Sequence, residues 1–316
     1  MLSTIEKHTP FAPQQILSDS LESQVGNTPL LRLRRTAVAH DIPDTIQLYA
    51  KAEWYNPSGS VKDRAALNII LTAETHGQLR PGMTLLDSTS GNMGIAYAML
   101  GAARGYHVML TLPANASPER ITILKAYGAE LIFTDPLEGS DGAILAARRL
   151  AADDPTLFYA NQYNNSANWQ AHYHTTGAEI WQQSYGRITH FVAGLGTGGT
   201  FTGTARRLKT YNPAIQTIAM QPDGPFHGLE GLKHMATSIR PGIYDEEMAN
   251  EQITVRTEEA YEMARFLARQ EGLFVGISAA AAVTAVIHVA RQIDEGVIVT
   301  VLPDNGFKYL RDSFWD

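Results

Sequence analysis

A chain of 316 residues is about twice the length of a common single domain. Its 44% hydrophobic and 18% charged residues exclude a disordered or fibrous chain. The net charge of −7 argues against nucleic acid or an anionic membrane as partner. With no cysteine there is no disulfide, thiolate nucleophile, iron–sulfur cluster or cysteine-based zinc site, which suits a cytoplasmic protein.

In chain order, residues 1–20 lack the apolar core of a secretory signal. Strands are expected at 47–53, 84–87, 107–112, 130–134, 158–160, 189–193, 216–220 and 297–302. Helices are expected at 61–75, 92–104, 118–127, 142–152, 167–183, 199–209, 258–271 and 279–293. Ser117-Pro118-Glu119 is a helix start: a hydroxyl to cap, proline in the first turn, and an acid near the positive end. The apolar stretch 274–290 is broken by Gly276, Ser278, Thr284 and His288, so it is expected to be a buried helix rather than a membrane span. Apolar strands alternating with helices predict an α/β fold whose mainly parallel sheets are covered on both faces. With no linker in sight, two domains would have to be interleaved.

Ligands of such folds collect where strands end and helices begin. Four loops fit. The first, Asn56-Pro-Ser-Gly-Ser-Val-Lys62, puts a lysine in the first helical turn. There the helix dipole would depress its pKa and suit it to act as an amine nucleophile; a solvated lysine beside an Asp63–Arg64 pair is the equal alternative. The second runs from Asp87 to Gly94, where Thr89, Ser90, Gly91 and Asn92 offer donors for a carboxylate or a polar ring substituent. Taken alone, helix capping explains it as well. The third follows a buried strand with Gly194, Gly196, Gly198, Gly199 and Gly203 among Thr197, Thr200 and Thr202, a loop suited to a phosphate. Gly194-x-Gly196-x-x-Gly199 with Asp223 downstream also matches a dinucleotide fingerprint, which leaves a NAD-binding oxidoreductase as the unrelated alternative. The fourth, 301–306, places Asp304 and Asn305 after the last strand. His172 and His174, two apart on one helix, diverge and make no metal site.

Taken in order, segments 25–30, 56–64, 89–94, 162–168, 196–203, 276–278 and 303–310 resemble the fold-type-II pyridoxal-phosphate enzymes. Within them they resemble the cysteine synthase (O-acetylserine sulfhydrylase) family, nearer its B-type members. The resemblance implies two interleaved three-layer α/β domains of the tryptophan synthase β kind. A larger one, 1–50 plus 160–316, would bind the cofactor phosphate, and a smaller mobile one, 51–159, would close on substrate. It implies that Lys62 holds pyridoxal 5′-phosphate and serves as the base. Asn92 would bond the 3′-oxygen, Gly196, Thr197, Gly198, Gly199 and Thr200 would cradle the phosphate, and Asn305 or Asp304 would face the pyridine nitrogen. Thr89, Ser90, Gly91 and Gln162 would grip the substrate carboxylate, with Met93 standing where the family has threonine.

The implied reaction is β-replacement on O-acetyl-L-serine: sulfide or thiosulfate adds to an α-aminoacrylate, giving cysteine or S-sulfocysteine and acetate. O-phosphoserine or an amine nucleophile, as in diaminopropionate-type synthases, is the nearest alternative. Asp223, where phosphoserine-using relatives carry arginine, favours the acetyl ester, and Lys233 is a possible attractor for an anionic donor. The implied partners are a second copy in a homodimer and the tail of a serine acetyltransferase.

Overall fold

The computed structural model describes residues 20–89 and 91–315. Nearly all of the segment tested for a signal, and Ser90 of the second loop, lie outside the described residues. The elements run β1 (Leu30–Arg32), α1 (Arg34–Ala39), β2 (Ile46–Ala52), α2 (Lys62–Thr75), β3 (Thr84–Ser88), α3 (Asn92–Arg104), β4 (His107–Pro113), α4 (Pro118–Ala126), β5 (Glu130–Thr134), α5 (Gly139–Asp153), β6 (Leu157–Tyr159), α6 (Ser166–His174) and α7 (Thr176–Gln183). They continue with β7 (His190–Gly194), α8 (Gly199–Tyr211), β8 (Gln216–Pro222), β9 (Glu251–Val255), α9 (Thr257–Phe266), α10 (Ile277–Ala290) and β10 (Gly296–Leu302).

Two sheets organise these elements. The larger has the order β1-β2-β10-β7-β8-β9 and the smaller β5-β4-β3-β6. Every pairing is parallel except that of β1 with β2. Parallel pairing needs a crossover after each strand, and the intervening helices cover both faces, so the central strands are apolar on both sides. The chain enters the large sheet through β1 and β2, builds the small sheet from β3 to β6, then returns through β7 to β10. The domains are interleaved in that sense.

Helix α10 shows why the apolar stretch is a core element. Apart from His288 its side chains are buried, and they form the largest apolar cluster with β2, β8 and β10. Among the described residues no helix is long and apolar enough to cross a membrane. A second cluster joins α2 and α3 to β3 and β4. Thus α2 follows a large-sheet strand yet packs its apolar face on the small sheet.

Four departures from the sequence reading have physical causes. β1 is three residues long and pairs at an edge, too short for a periodic signal. β9 is an edge strand with alternate residues exposed. The helix expected over 167–183 is two: Thr175, at φ −116° and ψ −75°, leaves helical geometry between α6 and α7. The helix expected to run to 271 stays α-helical only to Phe266, ending in a π-turn over Leu267–Glu271 closed by left-handed Gly272.

Candidate active site

The carboxyl ends of β2, β3, β7 and β10 open toward one cavity of about 770 Å³. Its wall includes Lys62, Thr89, Gly91, Asn92, Met93 and Gln162 on one side and Gly196, Thr197, Gly198 and Thr200 on the other. Residues scattered over 139 positions of the chain are therefore one site.

Lys62 is the first residue of α2. Its loop is tied to the end of β10: Val61 N–H donates to the Pro303 carbonyl at 2.8 Å, and Ser60 bridges Asp304. Asp63 closes the turn by accepting from the Ser58 amide at 2.7 Å and from its hydroxyl. The pair imagined between Asp63 and Arg64 does not form. Instead, Arg64 makes fork-like contacts with Glu53 and Glu179, and Glu179 also takes Lys51 at 2.6 Å. The Lys62 amine has no hydrogen-bond or ion-pair partner among the described residues. Burial lowers its pKa from the ordinary lysine value, opposed by the fields of Asp304 and Glu53.

The glycine loop is a cradle with no room for side chains. A Cβ on Gly196 would enter the Gly231 carbonyl, and one on Gly199 would enter the Asn168 carboxamide. Gly198, at φ +84°, caps α8 in the left-handed region and lies 2.9 Å, by a notional Cβ, from Tyr244. Gly199 N–H donates to Thr197 Oγ1 at 3.3 Å, while the amides that follow open the helix toward the cavity. Arg206 and Arg207 turn away, to Asp245 and the Trp169 ring and to the Tyr173 and Tyr211 rings. Positive potential in the cradle therefore comes from backbone amides.

The 89–93 turn faces it. Gly91, not Asn92, is the N-cap of α3 and no side chain caps that helix, so the Asn92 carboxamide is free for another use. Gln162 is buried, its side-chain amide donating to Ser88 O at 2.9 Å. Asn168 joins the two halves, donating to Gln162 O at 2.8 Å and Thr197 Oγ1 at 3.1 Å. Asp87, fully buried beneath, accepts from the Ser88 and Gln162 amides, and burial raises its pKa to about 7. Met93 is 2% exposed and belongs both to the cavity wall and to the small-sheet core.

Other expected residues sit elsewhere. Asn305 accepts from the Phe307 amide and caps the turn that follows, outside the cavity wall. Asp304 is fully buried behind that wall, bound to Asn92 and Tyr309. Ser278, in the first turn of α10, lines the cavity, together with Pro303 and Tyr309 on either side of those two residues. Sequence reasoning passed over it, although it had marked 276–278. Asp223 is exposed and does not line the cavity, whereas Glu230 and Lys233 do. His172 is buried between Thr176 (2.9 Å) and Thr200 (3.3 Å), with its pKa well below the usual value through burial; His174 is exposed.

A desolvated, unpaired amine facing a neutral phosphate nest across a polar turn defines a class: α/β enzymes that hold a phosphorylated carbonyl compound through a lysine. The sequence profile of the pyridoxal-phosphate-dependent enzymes matches residues 21–304. The chain belongs to that family. It is 54% identical to cysteine synthase of Aquifex aeolicus, with 96% of this chain and 94% of that one aligned. It is 42% identical to cysteine synthase B of Pseudomonas aeruginosa, over 92% and 96% respectively. Cysteine synthase of Entamoeba histolytica has a crystal structure that superposes with a TM-score of 0.92 at 34% identity, covering 98% of this chain and 94% of that one.

The residues present fit pyridoxal phosphate. Lys62 supplies the unpaired amine, and Gly196, Thr197, Gly198 and Thr200 offer the cavity a donor set suited to a phosphate.

Proposed function

We propose that this chain is a cysteine synthase, replacing the acetate of O-acetyl-L-serine with sulfide to form L-cysteine. The observation that carries it is the unpaired Lys62 amine within one cavity with the glycine cradle and the 89–93 turn. The cysteine synthases it resembles support the substrate. Bound there, pyridoxal phosphate supplies an electron sink for the carbanion left by α-proton removal. The chain does the rest. Gly196, Thr197, Gly198, Gly199 and Thr200 would hold the phosphate, and Asn92 would donate to the 3′-oxygen. Ser278 would offer its hydroxyl to the pyridine nitrogen, the role first expected of Asp304 or Asn305. Thr89, Ser90, Gly91 and Gln162 hold the substrate carboxylate, with Met93 packed beside them. Lys62, whose amine burial biases toward the uncharged form, takes the α-proton and later returns it.

The smaller domain, 51–159, closes on the substrate. Two contacts at the cavity mouth support this: Arg120 of α4 with Glu230 (2.8 Å), and Asp141 of α5 with Lys233 and the Ile239 amide. Arg120 and Lys233 in the wall also suit thiosulfate as an anionic donor, giving S-sulfocysteine. The resemblance further supports a cytoplasmic homodimer and docking of a serine acetyltransferase tail at the site.

The test is product formation. Protein loaded with pyridoxal phosphate should turn O-acetylserine and sulfide into cysteine and acetate in equal amounts, and Lys62→Ala should not. A loaded wild type that makes neither cysteine from sulfide nor S-sulfocysteine from thiosulfate refutes the reading.

A further inference from the structure

Asn92 is held from the far end of the chain. Its Oδ1 accepts from Lys308 Nζ at 2.6 Å, and its Nδ2 donates to Asp304 Oδ2 at 2.7 Å. Both partners are buried, Asp304 completely and Lys308 to 9% exposure. Neither lines the cavity, so neither is placed to touch the cofactor.

Each partner is fixed in turn. Lys308 also donates to the Ser58 carbonyl at 3.1 Å and more weakly to that of Gly59 at 3.5 Å, in the loop that leads to Lys62. Asp304 Oδ2 accepts from the Tyr309 hydroxyl at 2.8 Å, and the Gly276 amide donates to its carbonyl at 3.2 Å. Its Oδ1 has no partner and points to Gly276, where a Cβ would strike it. That oxygen is walled off from the cavity by backbone. Burial lowers the Lys308 pKa, but Asp304 and Asp63 oppose the shift.

A carboxamide between a cation and an anion has one orientation: the ammonium can only donate and the carboxylate can only accept. Flipping Asn92 would set its amide hydrogens against Lys308 and its oxygen against Asp304. One amide hydrogen goes to Asp304, and the second is left for a ligand.

We propose that Lys308 and Asp304 are positioning residues which lock the Asn92 carboxamide so that its second N–H meets the 3′-oxygen of the cofactor. This rests on the cofactor reading above. It also gives Asp304 a different task from contact with the pyridine nitrogen.

The test is a double-mutant cycle on the cofactor-stripped protein titrated with pyridoxal phosphate, following the visible absorption band and the dissociation constant. Lys308→Met and Asn92→Ala are each expected to weaken binding about tenfold and to shift the band, as loss of one charge-assisted hydrogen bond implies. In the double variant, binding should be within about twofold of the weaker single, because the lysine acts through the asparagine. Losses that multiply to about a hundredfold, or a Lys308→Met protein that binds like wild type, overturn the proposal. Asp304→Asn keeps an oxygen for Asn92 and Tyr309 and should bind within about threefold of wild type. If it is as damaging as Asp304→Ala, the carboxylate acts on the ring and the proposal fails. A wild type that develops no band refutes the cofactor reading itself, whereas multiplying losses leave that reading standing.

Discussion

Met93→Thr separates two roles of one side chain. Met93 is 2% exposed, seated in the apolar cluster of the small sheet, and part of the cavity wall one residue after Asn92. Threonine shortens a buried chain and keeps one methyl group, so the loss of packing should cost about 1–3 kcal/mol, less than a full Met→Ala truncation. The melting temperature should fall by roughly 2–6 °C. On the cavity side, threonine adds a hydroxyl to a turn that already carries Thr89 and Gly91. A bond from it to a substrate carboxylate is charge-assisted, worth about 1.5–3 kcal/mol, or roughly ten- to a hundredfold in KM for O-acetylserine. Stability and affinity should therefore move in opposite senses. Met93→Leu, similar in volume and without the hydroxyl, should change KM by less than about twofold. Steady-state kinetics at saturating sulfide and calorimetry on the same preparations decide it. An unchanged or raised KM in the threonine variant refutes the reasoning: Met93 would then be packing alone, and the loop amides would suffice for the carboxylate.

Gly196→Ala drives a Cβ into the Gly231 carbonyl, so the cradle must shift. Pyridoxal-phosphate affinity should fall at least about tenfold, and unchanged titration curves would disprove the cradle geometry. In the cofactor-free chain, Lys62→Met should be at least as stable as wild type, because it removes an unpaired amine whose charged form burial disfavours. The Lys62 pKa is lower folded than unfolded, so the unfolded chain binds more protons in between. Wild-type stability should rise with pH across that window and the variant's should not, which urea midpoints at pH 7 and pH 9 measure. Glu179 is held at about 2, chiefly by Arg64 and then Lys51 acting against burial. Its contribution is complete above the ordinary glutamate pKa and lost as pH falls toward 2. Glu179→Gln should cost about 1.5–3 kcal/mol at pH 7, because it leaves Lys51 without its close counter-ion and Arg64 with Glu53 alone, and it should flatten the acid limb; equal stability of both proteins at pH 7 would contradict this.

The sequence was most legible where local chemistry and burial agree. β7, β8 and β10 have central residues buried on both faces and read as near-continuous apolar runs. The glycine loop was legible because Gly196, Gly198 and Gly199 each meet a neighbour that tolerates no side chain, a demand written into residue type. Lys62 was recognisable as an amine at a helix start, but its partner-free burial depends on Pro303 and Asp304, about 240 positions away, and no local pattern carries that. Asp304 and Asn305 were assigned by proximity to the end of β10. The backbone instead turns Asn305 into a cap and Asp304 inward, while Ser278, on another element, takes the wall. Which side chain fronts a cavity is set by turns at the ends of two elements, and a single sequence states only one of those turns at a time.

The placement of Lys62 follows from how the two sheets share α2. The base of that helix is bound to the large sheet: Arg64 forks onto Glu53 and Glu179, and the loop before Lys62 bonds to the end of β10. Its apolar face belongs to the small-sheet core. If the smaller domain closes as proposed, the motion would turn near the first residues of α2, which are bonded to the large sheet. Lys308 marks the same joint, since it bonds at once to the 58–59 loop and to Asn92 at the start of α3. An amine that must receive a proton from one fixed carbon and return it is best placed at such a pivot, because closure can then exclude water without changing the distance over which the proton moves.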